Sequence, residues 1–349
     1  MSSVGSPAPG SRASLGDVAR LAGVSPITAS RVVNASEAVR PATRDRVLAA
    51  MQQLGYTPNH AARALRYGNF NTIGLVAHRF ARTGEARTIE GVVSAARAEG
   101  YTVSLVDITT PSSDEVTAAA QRLSNLSVDG LVIIRAEGMT PQNLVLPPGL
   151  PVVVSDSRLV GRMPAVGADQ ESGARQAVEH LLALGHPTVH HLAGPADSRP
   201  AAVREESWRA TLEAAGRPVP PPLRGDWTLA SGYELGSRIA DDPTVTAVFA
   251  ANDEMAAGLL RALHERSVRV PQDVSVVGFD DIAVAEYLWP PLTTARQDFG
   301  RIGTELVTLL LVQVRTGIEP AGQHVVVPVP LIVRASTGPY RHRSTPPSP

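Results

Sequence analysis

The sequence contains no cysteine, which excludes disulfide bonds, thiolate metal sites and cysteine nucleophiles and fits a reducing compartment. It also contains no run of about 18 apolar residues, the length that a membrane-spanning helix requires. The first residues, MSSVGSPAPGSR, lack the apolar segment of a signal peptide. These absences predict a soluble, cytoplasmic protein with no membrane partner.

Lysine is absent as well, so all 32 basic residues are arginine. Codon usage in a GC-rich genome accounts for this, because lysine codons are AT-rich. Residues 1–70 contain eight arginines against Asp17, Glu37 and Asp45, whereas the remaining residues contain 24 arginines against 30 carboxylates. A basic end on an acidic body is typical of a protein that binds nucleic acid through one end.

The length of 349 residues is too great for one hydrophobic core. A hydrophobic content of 43% and a charged content of 19% exclude wholesale disorder. The sequence predicts a disordered tail over 1–13, a helix-turn-helix DNA-binding domain over 14–57, a hinge helix or linker over 58–68, a two-lobed body over 69–338 and a second disordered tail over 339–349.

Three short helices are predicted near the N-terminus. LGDVARLA has the apolar spacing of a helix and stops at Gly23, and Ser25 then caps a second helix that has Pro26 in its first turn. A third helix is predicted from about Pro41 to Leu54. This arrangement predicts a helix-turn-helix module, with an ordinary three-helix bundle as the alternative.

The second helix presents polar and exposed residues away from its apolar stripe. Arginine reads guanine, serine and threonine bond phosphates, and isoleucine can contact a thymine methyl group. The candidate DNA-binding residues of this helix are Pro26, Ile27, Thr28, Ser30, Arg31 and Asn34.

A short amphipathic segment follows the third helix. It has a basic face, an apolar tip at Leu65, and too few residues to be stable alone. One interpretation is a helix that forms on DNA and wedges Leu65 into a minor-groove step; the other is a plain linker. The candidate DNA contacts here are Asn59, His60, Arg63, Leu65 and Arg66.

Beyond Gly68 the sequence alternates short valine-rich segments with helical stretches of about a dozen residues. This alternation predicts parallel sheets covered on both faces, folded into two doubly wound lobes. Ligands of such folds bind at the carboxyl ends of the strands, here in the crevice between lobes. The predicted strands are TIGLV, TVSLVD, DGLVII, PVVVSD, TVHHLAG, TAVFAAN and VSVVGFDD.

Polar groups follow several of these strands, and they suit a polyhydroxylated ligand. Carboxylates, an amide and an arginine bond vicinal hydroxyls, and an indole stacks on an apolar sugar face. The alternative is that these residues cap helices and that the tryptophan is part of the core. The candidates are Asp156, Arg204, Trp227, Asn252, Asp253, Asp280 and Asp281.

An enzyme is the weaker interpretation. Asp156 and Asp280 could imitate the carboxylate pair of a glycosidase, but the sequence has no GxSxG, P-loop, GxGxxG or HExxH motif. His190 and His191 are expected to be buried and neutral rather than a metal pair, and His186 to lie at a helix end. No catalytic residue, metal or cofactor is therefore predicted.

Six motifs occur in the order in which a known family carries them. They are DVARLAGVSPITASRVVN, RDRVLAAMQQLGYTPNHAARAL, HLLALGHPTVHHLAGP, AANDEMAAGLLRAL, VSVVGFDDI and PPLTTARQDF. Over roughly residues 14–338 the chain resembles the lac repressor/gal repressor family of bacterial transcription regulators. The resemblance implies a homodimer on pseudo-palindromic double-stranded operator DNA. It places Pro26, Ile27 and Arg31 at bases and Leu65 at the intercalating position of a hinge helix.

The resemblance also implies a small-molecule effector site in a body similar to periplasmic sugar-binding proteins. Arg204, Asn252 and Asp280 match the residues that hold effector hydroxyls, and Trp227 matches the stacking aromatic. Further pocket positions are implied at Asp156, Gln297 and Phe299, and His78 is expected near the pocket mouth.

Some positions depart from the family. Pro26 and Ile27 replace a polar pair, Ser207 stands where glycine is common, and the ending RSTPPSP lacks the tetramerising leucine helix. The expected function is repression of carbohydrate-utilisation genes, relieved by a sugar, with a galactoside-like inducer favoured. The alternatives are a purine- or metabolite-corepressed regulator and a sugar-binding transport receptor. A transport receptor would need an export signal and would have no use for residues 15–66.

Overall fold

The structure is a computed structural model. It describes residues 13–33, 38–56, 69–80, 82–110, 112–134, 143–155, 159, 161–319 and 322–342. The contacts divide the chain into two units, with the division between Phe70 and Asn71. No helix within these ranges is long and apolar enough to cross a membrane.

The N-terminal unit consists of three helices: α1 (Leu15–Ala22), α2 (Pro26–Val33) and α3 (Pro41–Leu54). The Ser14 side chain accepts a hydrogen bond from the Asp17 amide, and the Asp17 carboxylate accepts one from the Ser14 amide, which forms a capping box at the start of α1. Gly23 adopts a φ of 64°, which permits the tight turn between α1 and α2.

The predicted capping role of Ser25 is confirmed, because its Oγ accepts a hydrogen bond from the Thr28 amide at 3.1 Å. Val18, Ala29 and Val47, one from each helix, are fully buried where the three helices meet. The candidate Asn34 and the whole segment 58–68 lie outside the described residues.

The second unit contains two sheets of six strands. The N-terminal lobe has the strand order β11-β5-β4-β3-β1-β2, and all its pairs are parallel. Its elements are β1 (Thr72–Ala77), α4 (Thr83–Ala98), β2 (Thr102–Asp107), α5 (Ser113–Asn125), β3 (Gly130–Ile134), β4 (Val152–Ser155), β5 (Ala165–Ala168), α10 (Phe299–Thr316) and β11 (His324–Val327).

The C-terminal lobe has the order β12-β10-β9-β8-β6-β7, parallel except for the β10–β12 pair. A 3₁₀ turn over Ala285–Tyr287 follows β9. The elements are α6 (Gln170–Ala183), β6 (His190–Ala193), α7 (Arg199–Ala214), β7 (Leu223–Arg224), α8 (Leu229–Asp241), β8 (Ala247–Ala250), α9 (Asp253–Glu265), β9 (Ser275–Asp280), β10 (Thr293–Arg296) and β12 (Leu331–Ile332).

The chain passes between the lobes three times: from β5 to α6, from β10 to α10, and from β11 to β12. Helix α6 packs on α7 and on strands of the C-terminal lobe, whereas α10 packs on α4 and on strands of the N-terminal lobe. Backbone hydrogen bonds join the third crossover to the other two, from the Asp169 amide to the Val327 carbonyl and from the Arg296 amide to the Pro330 carbonyl, each at 2.8 Å.

The predicted fold class, a helix-turn-helix module followed by two doubly wound lobes, is confirmed, and all seven predicted segments form strands. Five strands were missed, namely β5, β7, β10, β11 and β12. They have two to four residues each. The disordered tail was predicted to begin at Pro339, but Tyr340 is still packed on the body. Its amide donates to the Leu184 carbonyl at 2.8 Å, and its ring contacts His186.

Helices α8 and α9 cross where Gly232 faces Gly258, and a Cβ atom at either position would overlap the backbone of the other helix. We expect Gly232→Ala to lower the free energy of unfolding by about 1–3 kcal/mol, the usual cost of overpacking. Urea denaturation measures this change. Glu234→Ala, an exposed position on the same helix, is the control and should change stability by less than about 0.5 kcal/mol. Equal urea midpoints for Gly232→Ala and the unaltered protein would show that the helices are not this close.

Candidate DNA-binding helix and effector cavity

Helix α2 packs into the N-terminal unit through one face and leaves the other open. Ala29 and Val32 are buried, whereas Ile27 keeps 67% of its surface exposed and Pro26 and Arg31 are exposed too. A large apolar side chain left open beside a basic one suits a surface that meets base edges in a DNA groove. The exposed face of α2 is therefore the one that the sequence analysis predicted to bind DNA.

Two of the other predicted contacts on α2, Thr28 and Ser30, are only half-exposed. The Thr28 hydroxyl lies 2.9 Å from the Ser25 hydroxyl, and it can accept from Ser25 while it donates to a phosphate. The predicted contacts Asn34, Asn59, His60, Arg63, Leu65 and Arg66 lie outside the described residues.

In the second unit, a cavity of about 240 Å³ opens between the two lobes. Four consecutive residues of the N-terminal lobe form one wall, and the opposite wall consists of strand ends and helix starts of the C-terminal lobe. The lining residues are Arg82, Thr83, Gly84, Glu85, Arg204, Asp226, Trp227, Thr228, Leu229, Asn252, Glu254 and Asp280. Four of the predicted effector residues, Arg204, Trp227, Asn252 and Asp280, thus line one cavity.

Arg204 in α7 is 2% exposed and is held on several sides. Its Nε donates to Gln170 Oε1 at 2.8 Å, one Nη donates to the Ala251 carbonyl, and the other lies 3.5 Å from Asp280 Oδ1. The guanidinium stacks 3.7 Å from the centroid of the Phe279 ring. A guanidinium fixed in this way presents its donors in a defined direction.

Trp227 occupies a backbone conformation that costs energy for a residue with a side chain, with φ of 77°. The Asn252 amide donates to the Trp227 carbonyl at 3.0 Å, and Gly194 leaves the space that the indole edge fills. The buried indole N–H has no hydrogen-bond partner among the described residues.

Asn252 also caps the start of α9, which was the alternative interpretation of its position in the sequence. Its Oδ1 accepts from the Met255 amide at 3.0 Å, and its Nδ2 donates to Glu254 Oε2 at 2.7 Å. Glu254 in turn accepts a hydrogen bond from the Thr83 hydroxyl of the opposite lobe. This contact joins the two walls of the cavity.

Two further aspartates that follow strands, Asp253 and Asp281, bond residues in and around the loop after β9 and do not line the cavity. Asp253 is completely buried and accepts from the Thr294 hydroxyl at 2.6 Å and the Ile282 amide at 2.9 Å. Burial, with the nearby Asp280 carboxylate, raises the pKa of Asp253 well above its usual range. Asp281 pairs with Arg296 and Arg334 at 2.6 and 2.7 Å.

Three predicted effector residues are placed outside the cavity lining, and Asp156 lies outside the described residues. Phe299 begins α10 and packs in the hydrophobic core. Gln297 is buried behind Asp280 and donates to its Oδ1. His78 is buried just after β1. A family resemblance aligns positions along the chain but does not reveal which side of the backbone a side chain faces, and these three side chains are buried.

The sequence analysis missed the wall of the N-terminal lobe, Arg82 to Glu85, and Glu254. Glu85 is 1% exposed, and its carboxylate lies 3.9 Å from the Arg82 guanidinium. The same strand-end argument could have found this wall, because α4 starts just beyond the carboxyl end of β1. The prediction stopped at His78, four residues before Arg82.

His186 and His191 are buried, as expected of structural residues, whereas His190, which was also expected to be buried, is only partly so. The His191 ring stacks between Trp208 and Phe249, and its Nδ1 bonds the Phe249 carbonyl at 2.9 Å. His186 follows the end of α6 and bonds Thr246 and Ser275, each at 3.1 Å. No cluster of potential metal ligands is found in the part of the chain that the structure describes.

Burial lowers the pKa of His191 to about 3 from the ordinary value of 6.5. The unfolded chain takes up a proton at this histidine near pH 6.5, whereas the folded protein does so only near pH 3. We therefore expect stability to fall as the pH falls through this window, by up to about 1.4 kcal/mol per pH unit from this group. Urea unfolding across the window measures the slope. His191→Phe keeps a ring but cannot titrate, so its slope should be shallower; equal slopes would contradict the assignment.

Comparisons with known proteins agree with this architecture. Residues 14–59 match the family described as bacterial regulatory proteins, lacI family, and residues 178–337 match the periplasmic binding protein-like domain. The HTH-type transcriptional regulator CelR of Thermobifida fusca is 36% identical over 338 residues, which cover 93% of this chain and 98% of CelR. The chain belongs to the lacI family.

Other members of the lacI family extend the likeness to the whole fold. The ribose operon repressor of Escherichia coli (strain K12) is 31% identical over 86% of this chain and 92% of its own. The lac repressor dimer bound to operator and the anti-inducer ONPF matches with a TM-score of 0.82 at 32% identity, over 94% of this chain and all of that one. A CelR–cellobiose complex matches with a TM-score of 0.68 at 33% identity, over 93% and 100% of the two chains. This lacI-family chain is a DNA-binding transcriptional regulator and not an enzyme.

Proposed function

We propose that this lacI-family regulator represses carbohydrate-utilisation genes and leaves its operator when a sugar binds in the crevice between the lobes. The observation that carries the proposal is the cavity wall where Arg204, Trp227, Asn252 and Asp280 meet. It offers a fixed guanidinium, a carboxylate, the amide oxygen of Asn252 and an indole ring. Such a set can bind the hydroxyl groups of a sugar, because each hydroxyl both donates and accepts hydrogen bonds.

The cavity also favours a sugar over a purine and over an anionic ligand. Trp227 is the one aromatic residue in its lining, and Arg204 covers the Phe279 ring behind it, so the described wall offers no second ring to sandwich a flat base. Four carboxylates and two guanidiniums line the space. This balance disfavours phosphorylated sugars, because an added negative charge would meet like charges in a partly desolvated site.

The DNA-binding part of the proposal rests on α2. Its exposed face would enter the major groove, and two copies in a homodimer would read the half-sites of a pseudo-palindrome about one helical turn apart. The solved lac repressor relative is a dimer bound to operator, which supports this arrangement. The segment Asn59 to Arg66 would form the hinge contact between the two copies and the operator centre.

The test is a selection of bound DNA from random-sequence duplexes, with the purified protein alone and with a panel of compounds. The panel contains ribose, cellobiose, a galactoside, glucose 6-phosphate and purine bases. We expect an enriched palindrome that one neutral sugar abolishes and the phosphorylated sugar does not. Enrichment only in the presence of a purine would replace the inducer mechanism with corepression. No enrichment under any condition would refute the DNA-binding role.

A further inference from the structure

Four buried side chains form a closed ring at the base of the crevice. Arg204 Nε donates to Gln170 Oε1 at 2.8 Å, and Gln170 Nε2 donates to Gln297 Oε1 at 3.1 Å. Gln297 Nε2 donates to Asp280 Oδ1, which lies 3.5 Å from an Nη of Arg204. All four residues are at most 6% exposed. Two of them line the cavity, and the two glutamines do not.

The glutamines stand on two different crossovers between the lobes. Gln170 is the first residue of α6, just after the passage from β5, and the Asp169 side chain caps this helix start by accepting from the Ser172 amide at 3.0 Å. Gln297 lies between β10 and α10, on the passage in the opposite direction. The hydrogen bond between the two glutamines therefore ties two crossovers to each other.

The direction of the hydrogen bonds around the ring is fixed by chemistry. Arginine can only donate, so it must face the oxygen of the Gln170 amide. The nitrogen of that amide then faces Gln297, whose oxygen must accept it. The Gln297 nitrogen is left for Asp280, and an ionised carboxylate can only accept. A flip of either amide would set two donors or two acceptors against each other in a buried site, which is costly.

We propose that Gln170 is a positioning residue that couples occupancy of the cavity to the relative position of the lobes. A ligand that bonds Arg204 and Asp280 contacts two members of the ring. If either side chain moves on binding, its hydrogen bond to Gln170 or Gln297 transmits the movement to a crossover. This inference rests on the proposed effector site. Gln170, which lies outside the cavity lining, thus transmits the effect of ligand binding to the crossovers.

Gln170→Glu isolates the link between the crossovers. A carboxylate keeps the acceptor for Arg204 Nε but has no donor for Gln297 Oε1, so the ring opens at one bond. Gln313→Glu is the matched control: Gln313 in α10 is 4% exposed and bonds the Val152 and Leu309 carbonyls, away from the ring. It introduces the same buried charge without touching the crossovers.

A double variant provides a rescue. In Gln170→Glu with Asp280→Asn, the Gln297 amide can reverse, donate to the carboxylate at position 170 and accept from the amide at position 280. All bonds of the ring then exist again with the same total charge: the two bonds of Gln297 are reversed, and Arg204 still donates to positions 170 and 280. A residue that only fills space would gain nothing from this second change.

The readout is the distance between the lobes. Because the chain has no cysteine, Thr308→Cys in α10 and Glu213→Cys in α7, both exposed, give one spin label on each lobe. Labelled protein is diluted into unlabelled protein so that distances arise within single chains. Distances are measured with no sugar and with cellobiose or ribose, and operator affinity is measured under the same conditions.

We expect Gln170→Glu to broaden the distance distribution without sugar and to reduce the sugar-induced loss of operator affinity about tenfold. The control should leave both unchanged, and the double variant should restore the narrow sugar-free distribution. A distribution in Gln170→Glu that matches the unaltered protein would overturn the inference, as would a double variant that remains as broad as the single one. If no sugar affects the unaltered protein, the sugar effector fails, while the sugar-free distances still decide the role of Gln170.

Discussion

Replacing Arg204 with alanine is expected to give a regulator that binds its operator normally and is no longer released by sugar. The side chain is fixed by Gln170, the Ala251 carbonyl and Asp280 on one side and by the Phe279 ring on another. Its removal deletes the guanidinium donors from the cavity wall and leaves the Asp280 carboxylate without its charged partner. Losing one member of a buried, hydrogen-bonded charge pair at a binding site costs about 2–5 kcal/mol, so sugar affinity should fall by at least about 30-fold.

The measurement is an operator-binding titration with and without the sugar found in the selection. Retained operator binding shows that the variant has folded. Arg209→Ala is the matched control, because Arg209 lies on the same helix, pairs with Glu205 at 3.3 Å and keeps 44% of its side chain exposed. That variant should respond to sugar normally. Full release of the Arg204→Ala protein at the usual sugar concentration would place the effector site elsewhere.

The second large effect is expected from Arg31→Ala on α2. If Arg31 bonds a guanine with both Nη groups, its loss should weaken specific binding by about 1–3 kcal/mol in each half-site, and a symmetric dimer loses this twice. Discrimination should vanish at one base pair of each half-site and persist at the others. Binding to a set of operators, each altered at one position, measures both the loss and its location.

Arg20→Ala is the control for charge. Arg20 lies on α1 in the same unit, pairs with Asp17 at 3.0 Å and has 71% of its side chain exposed. Both variants remove one positive charge, so both lose similar non-specific attraction to phosphates and a similar part of the salt dependence. If Arg31→Ala weakens all operators equally, as Arg20→Ala should, Arg31 contacts the backbone and reads no base.

The longer strands were predictable because burial on both faces leaves a clear pattern. β1, β3 and β9 are almost completely buried, so their sequences contain runs of apolar residues. β7 and β12 have two residues each and lie at sheet edges. Such strands owe their conformation to the neighbour they pair with, which a local pattern does not reveal.

The cavity was predictable only in part, for a related reason. Asn252 and Asp280 end strands of one parallel sheet, and the carboxyl ends of its strands meet at a common edge. The rule finds the edge but does not separate residues that face the ligand from residues one layer behind. Gln297 was assigned to the cavity by the family resemblance although it lies behind Asp280. Gln170, its partner in the ring, gave no signal because a lone glutamine at a helix start has no pattern.

The three crossovers have a consequence for synthesis on the ribosome. Neither lobe is a continuous piece of chain: the sheet of the N-terminal lobe is completed by β11, and that of the C-terminal lobe by β12. Both strands follow every other strand of the two sheets in the sequence. A nascent chain can complete its small N-terminal helical unit early, since that unit precedes residue 71, but both sheets lack an edge strand until residues 324–332 have been made. The finished DNA-binding module is thus exposed before its controlling body can form, and a chain truncated before His324 would lack an edge strand in both sheets.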